Sequence, residues 1–257
     1  MHGSVLTSKS GALVSFQCSE SGTLLSMTTV RGARARARIE ITAAIKDEAR
    51  TQLAAEGAAK LSLRAVAREL GMVSSALYRY FPSRDDLLTA LIVDAYDAVG
   101  AAAERAAAEA EAERPLDRWT AVCRAVRAWA VAHPHEYALI YGSPVPGYAA
   151  PQDTIVPAAR VGLVLIDIAR RAHTGEGVAL PPLPDALRPE AVRISADIAP
   201  DLPPALAVAL VAAWSQLFGL VSFEVFGQFH RVVEDRDTFF ATAARRLGQD
   251  VGLLPRG

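Results

Sequence analysis

Apolar residues recur along this chain at helical rather than strand spacing. Ile41, Ile45, Ala49 and Leu53 come every four residues and Gly57 stops the run, which predicts a helix from near Arg36 to Glu56. Leu63, Val66, Ala67 and Leu70 stand at i, i+3, i+4 and i+7, one face of a short amphipathic helix. Gly71 follows where a helix end needs a residue that tolerates positive φ. Ser74 or Ser75 is placed to cap a second short helix, whose Leu77 and Phe81 face the same core, and Pro82 ends it. Ser83, with Asp86 three residues on, is a capping-box-like start for a longer helix. Leu87/Leu88, Leu91/Ile92, Tyr96 and Val99 form its stripe, and an alanine- and glutamate-rich stretch extends it to about Glu113.

Beyond the joint at Arg114-Pro115 the helical spacing continues. Leu116, Trp119, Val122/Cys123, Val126 and Trp129/Ala130 make one stripe that ends at His133-Pro134. A short helix over Glu136–Tyr141 and another over Val156–Arg171 follow, then a proline-heavy loop, LPPLPDALRPE. Asp201–Pro204 starts a long helix with Leu206, Leu210, Trp214, Leu217/Phe218 and Val221 on one face, and Asp235–Leu247 closes the chain. No strand pattern or internal repeat competes, so the predicted fold class is all-α.

Two short helices around a glycine turn are the helix-turn-helix arrangement, whose second helix enters the DNA major groove. With Leu77 and Phe81 inward, Ser75, Ala76 and Arg79 share the outer face, flanked by Tyr78 and Tyr80. Arginine can donate two hydrogen bonds to guanine, serine can donate or accept, and an alanine methyl can touch a thymine methyl. Tyrosine hydroxyls bond phosphate oxygens and so set register without reading sequence.

Charge distribution sharpens this picture where net charge does not. The chain carries −1 overall, but Thr28–Ala90 holds eleven Lys/Arg against seven Asp/Glu, and the rest from Leu91 holds fifteen against twenty. A basic N-terminal third on an acidic body suits a protein that meets a polyanion at one end. Arg31, Arg34, Arg36 and Arg38 alternate with Gly and Ala, an arm suited to phosphates or the minor groove, or simply to solvent. Residues 1–27, with seven serines, three glycines and no sustained period, have the composition of a flexible tail, and Met27 is an alternative start of translation.

The run Leu63–Leu88, with Gly71, Leu77-Tyr78, Tyr80-Phe81-Pro82-Ser83 and Asp86-Leu87-Leu88, resembles the DNA-binding domain of the TetR family of bacterial regulators over roughly residues 36–95. The segments HPHEYALIYGSPVPGY and VAAWSQLFGLVSFEVFGQF resemble a WHG-type, TetR-like C-terminal domain over roughly 116–253, although Phe218-Gly219 stands where a histidine-glycine pair is common. The resemblance implies a flexible tail (1–30), a three-helix helix-turn-helix DNA-binding domain (31–82) and a helical ligand-binding and dimerisation domain (83–257) whose linking helix starts at 83. By matching positions it implies that Ser62, Arg64, Tyr78, Tyr80 and Arg84 position the DNA backbone; Ser75, Ala76 and Arg79 on the outer face are the base-reading candidates, and Ser74 beside them is a further DNA-binding candidate. It further implies a small-molecule effector, a homodimer, an inverted-repeat operator in double-stranded DNA, and a repressor in which bound ligand displaces the linking helix.

Other chemistry has little support in the sequence. His133-Pro134-His135 has no partner cluster in ligand spacing and reads as a helix stop, so no metal or cofactor is expected. No nucleophile elbow or phosphate-cradling loop occurs, so no catalytic residue is assigned. Trp119, Cys123, Tyr137, Tyr141 and Phe218, with Trp129 and Phe223, are candidates for an apolar ligand cavity between helices, and each is also an ordinary core residue. The longest apolar stretch, Ala205–Phe223, is interrupted by Trp214, Ser215, Gln216 and Ser222, which suits a buried helix better than a membrane span. With two cysteines in unrelated segments, the expected setting is the reducing cytoplasm. The rival readings are a helical interaction module that does not bind DNA and a small helical enzyme.

Overall fold

The computed structural model describes residues 21–175 and 177–254, the first eleven of them as backbone only. Most of the predicted tail, including Cys18, lies outside the described residues, as does the Arg31 side chain. Ten α-helices are described: α1 Ser21–Glu56, α2 Leu63–Glu69, α3 Ser74–Leu77, α4 Arg84–Glu109, α5 Pro115–Ala132, α6 Pro134–Tyr141, α7 Ile155–Thr174, α8 Arg188–Ile198, α9 Pro204–Val225 and α10 Arg236–Val251. The only β pairing among the described residues is a single antiparallel bridge between Val178 and Leu253.

The chain divides into two compact units within α1, one ending at Ala44 and the other starting at Ile45. In the first, Arg34, Arg36 and Arg38 are exposed on the helix, and the Thr42 hydroxyl donates to the Arg38 carbonyl at 2.8 Å. Helix α1 starts at Ser21 rather than near Arg36. From Ala33 to Arg38 alanine and arginine alternate, both strong helix formers, and the single glycine before them, Gly32, costs a helix only about 1 kcal/mol.

The second unit begins with a small core beneath the helix-turn-helix. Ile45, Ala49 and Leu53 of α1, Leu63, Val66 and Ala67 of α2, and Leu77, Phe81, Leu87 and Leu88 are all buried. The larger core is built from α4, α5, α7, α9 and α10. On α5 the buried apolar residues are Leu116, Trp119, Val122, Cys123, Val126, Trp129 and Ala130, the stripe that the spacing predicts. Pro115 and Pro134 each occupy the first turn of a helix, where the missing N–H costs nothing.

Elements of the larger domain also differ from the sequence reading. Helix α4 ends at Glu109, before Glu113. Its end is fixed by Arg118 of α5, whose Nε donates to the Ala107 carbonyl at 2.8 Å in a buried setting. The proline-heavy segment becomes a helix again at Arg188, giving α8, of which only Ala191 and Ser195 are buried. That face is too narrow to produce an apolar stripe, and Pro189 marks a helix start there rather than a break. Helix α9 is long and apolar enough to cross a membrane by length and composition alone. Its Leu206, Ala207, Leu210, Ala213, Leu217, Phe218 and Val221 are buried in the core instead.

Candidate nucleic-acid interface

The turn between α2 and α3 is built by backbone bonds that only a left-handed residue permits. Gly71 takes φ of 64°, the Met72 N–H donates to the Ala67 carbonyl at 2.8 Å, and the Gly71 N–H donates to the Arg68 carbonyl at 3.1 Å. This paired closure satisfies the last carbonyls of α2 and turns the chain into α3. The Ser62 side chain caps α2 by accepting from the Ala65 N–H at 3.4 Å.

Neither Ser74 nor Ser75 caps α3. Val73 holds the cap position without a side-chain bond, and Ser74 is the first helical residue. The helix itself is short, Ser74–Leu77, because the bonds tighten after it: the Arg79 N–H reaches Ala76 and the Tyr80 N–H reaches Leu77, each spanning three residues. Leu77 and Phe81 anchor this segment, being 0% and 7% exposed. Ser74, Ser75, Tyr78 and Arg79 are exposed, while Ala76 and Tyr80 are half-buried at its edges. Arg64 is exposed on the first turn of α2. The structure therefore brings Ser74, Ser75, Ala76, Tyr78 and Arg79 onto one short segment whose apolar anchors point the other way.

Arg84 does something else. Its Nη2 donates to the Ala58 carbonyl at 2.8 Å and to the Ala59 carbonyl at 3.3 Å, and its Nε donates to the Leu61 carbonyl at 3.2 Å. Those carbonyls belong to the turn that precedes α2, so the guanidinium fastens α4 to that turn instead of facing outward. Ser83 does form the predicted cap of α4, accepting from the Asp86 N–H at 3.1 Å while its hydroxyl donates to the Asp86 carboxylate at 2.7 Å.

The five candidate ligand residues separate into two sets. Tyr141 stacks on Phe218 with centroids 4.2 Å apart and meets Tyr137 at 5.2 Å, and the Tyr137 hydroxyl is 2.8 Å from Ser222 Oγ. Burial first, then the neighbouring Tyr96 and Tyr137, pushes the Tyr141 phenol up, so this cluster is neutral. Trp119 and Cys123 are fully buried on α5, and Trp119 Nε1 donates to the Ala244 carbonyl of α10 at 3.0 Å. A separate apolar cleft of about 510 Å³ lies between α7, α8 and α9, lined by Leu163, Ile198, Val211 and Trp214 among others, and by none of the five. His133 Nδ1 sits 2.9 Å from the Trp129 carbonyl and its ring stacks on Trp129 at 5.4 Å. Among the described residues no group of three His, Cys, Asp or Glu side chains is arranged to hold a metal ion.

Residues 45–91 match the family model for bacterial regulatory proteins of the tetR family, and residues 119–247 match that of the tetracyclin repressor-like C-terminal domain. The chain is 42% identical to the HTH-type transcriptional regulator Mb1846 of Mycobacterium bovis, across 77% of this chain and 86% of that protein. The HTH-type transcriptional regulator Rv1816 of Mycobacterium tuberculosis gives the same figures. Among solved structures, regulatory protein SCO4313 is 34% identical with a TM-score of 0.70, covering 83% of this chain and 97% of that one. The TetR family regulator PfmR of Thermus thermophilus shares the fold at 19% identity, with a TM-score of 0.53 and coverage of 82% and 99%. With the helix-turn-helix geometry and both domain models in agreement, the chain belongs to the TetR family of bacterial transcriptional regulators, which are DNA-binding proteins and not enzymes.

Proposed function

We propose that this regulator is a ligand-responsive repressor that binds an inverted-repeat operator as a homodimer in the cytoplasm. The observation that carries the reading is the 74–80 segment, where Ser75, Tyr78 and Arg79 are exposed and Leu77 is fully buried beneath them. A two-fold dimer sets two such segments about one DNA turn apart, roughly 34–36 Å, or a multiple of it. Ser75, Ala76 and Arg79 then read base edges, and Ser62, Arg64, Ser74, Tyr78 and Tyr80 hold the backbone. Arg84 supports this surface from behind through its carbonyl bonds.

The effector is an uncharged, largely apolar molecule that engages Tyr137, Tyr141 and Phe218, where the neutral phenols of the two tyrosines offer hydrogen bonds without charge. Trp119 and Cys123 stay with the core that supports the cluster. Ligand binding shifts the balance between two placements of α4, by no more than its difference in affinity for the two. Selection from a random DNA pool with the purified full chain, at fixed salt, tests the reading. A two-fold symmetric consensus is expected, and recovery of no consensus, or of an asymmetric single half-site, overturns it.

A further inference from the structure

Where α1, α4 and α6 meet, they are tied together by charge. Arg50 of α1 donates from Nε to Glu136 Oε1 of α6 at 3.0 Å, and from Nη2 to Asp94 Oδ2 of α4 at 2.7 Å. Its Nη1 donates to Asp47 on its own helix at 2.7 Å, and Lys46 Nζ holds the other Asp94 oxygen at 2.8 Å. The Arg50, Asp94 and Glu136 side chains are 31%, 29% and 20% exposed, so these pairs are shielded more than surface pairs and screened less by salt. A planar guanidinium can serve two carboxylates from different helices at once, which a lysine ammonium on one flexible stem does poorly.

The neighbours of this junction give it direction. One turn along α4, Asp97 is bound by Arg160 of α7 at 2.7 Å, and Glu104 is bound by the same guanidinium at 2.8 Å. Helix α4 is thus clasped to the body on that side and to α1 through Asp94. Helix α6 is short, Pro134–Tyr141, bounded by the His133-Pro134 break and by Gly142. Glu136 of α6 reaches α1 through Arg50, while the next residue, Tyr137, is buried in the aromatic cluster.

We infer that Arg50 and Glu136 are positioning residues that report the placement of α6 to the DNA-reading helices, a second route beside α4. When α6 moves so that Glu136 leaves Arg50, the guanidinium keeps only Asp94 and Asp47, and the second half of α1 loses its tie to α6. This deepens the regulatory reading above and rests on it. Because coupling between binding sites is reciprocal, DNA that fixes α1, α2 and α3 must also steady α6.

That reciprocity permits a test without the effector. Hydrogen exchange is measured on the full-length protein with and without a duplex carrying the selected consensus. In the wild type, amides from Tyr137 to Gly142 are expected to exchange at least about five-fold more slowly with DNA bound, the lower end of ordinary coupling. In Arg50→Met and in Glu136→Gln, measured at DNA concentrations that saturate each variant, this protection is lost. Arg50→Lys restores thermal stability but not the protection of α6. Protection that is absent in the wild type, or that survives in both Arg50→Met and Glu136→Gln, overturns the relay while leaving the regulator reading intact. Failure of the wild type to bind any duplex overturns both.

Discussion

Arg79 and Arg84 flank Pro82, and the structure surrounds them differently. Arg79 is exposed on the reading segment, whereas Arg84 donates to the Ala58, Ala59 and Leu61 carbonyls. Arg79→Ala is expected to weaken operator binding by about 1–3 kcal/mol and to relax preference at one base pair. Arg84→Ala is expected to lower stability to urea by about 1–3 kcal/mol, since it strands part-buried carbonyls, and to keep the same base preference. Comparing binding profiles with unfolding midpoints separates the two. The role of Arg84 was not legible in the sequence because its partners lie more than twenty residues upstream and are backbone atoms. Burial is also what decides Cys123: it pushes the thiol up, and a thiol held neutral is a poor nucleophile. Alkylation followed by peptide mass mapping should leave Cys123 unmodified in the folded chain and modify it fully in denaturant.

Helices with a wide apolar face were the most legible elements. The α5 stripe is buried residue for residue as its spacing predicts, because seven apolar positions at helical period leave one orientation. Helix α8 was hidden because two small buried residues make no stripe, and α3 proved shorter because its bonds tighten after Leu77. The Gly71 turn was legible because a single residue type solves its geometry. A Cβ built there meets nothing within 4 Å, so Gly71→Ala carries only the conformational cost of φ near 64°, about 1–2 kcal/mol of stability by chemical unfolding. The arginine-rich arm, Arg34 included, continues the helix that the spacing places from near Arg36. If that helix follows phosphates, replacing Arg34, Arg36 and Arg38 together with alanine lowers the salt dependence of operator binding by about 2–3 in log–log slope. An unchanged slope assigns these side chains to solvent.

At the scale of the whole molecule, one surface asks for a partner. Pro204 to Phe223 of α9 contains no charged residue, and one side of the helix fills the core. The other side leaves Val211, Ala212, Trp214, Ser215, Gln216, Gly219 and Phe223 exposed, with Phe239 exposed on the adjoining α10. An uncharged face spanning a whole long helix is unusual for a monomer surface and fits a self-complementary contact across a two-fold axis. Stable contacts of this kind bury about 1,200–2,000 Å² in total, which two helices from each copy can supply. Gly219 gives a clean probe, since it is exposed and an added Cβ there meets nothing within 4 Å. Gly219→Glu is therefore expected to keep the fold and most of the thermal stability. If α9 forms the proposed two-fold contact, the new carboxylate faces its own copy, where like charges repel and lose their water, and sedimentation velocity should show monomer at concentrations where the wild type is dimeric. Operator affinity should fall in parallel, because a lone half-site contact gives up the gain from binding two sites at once. A dimeric Gly219→Glu protein with full affinity would move the interface away from α9, and the distance between reading heads would then have to be set by other helices.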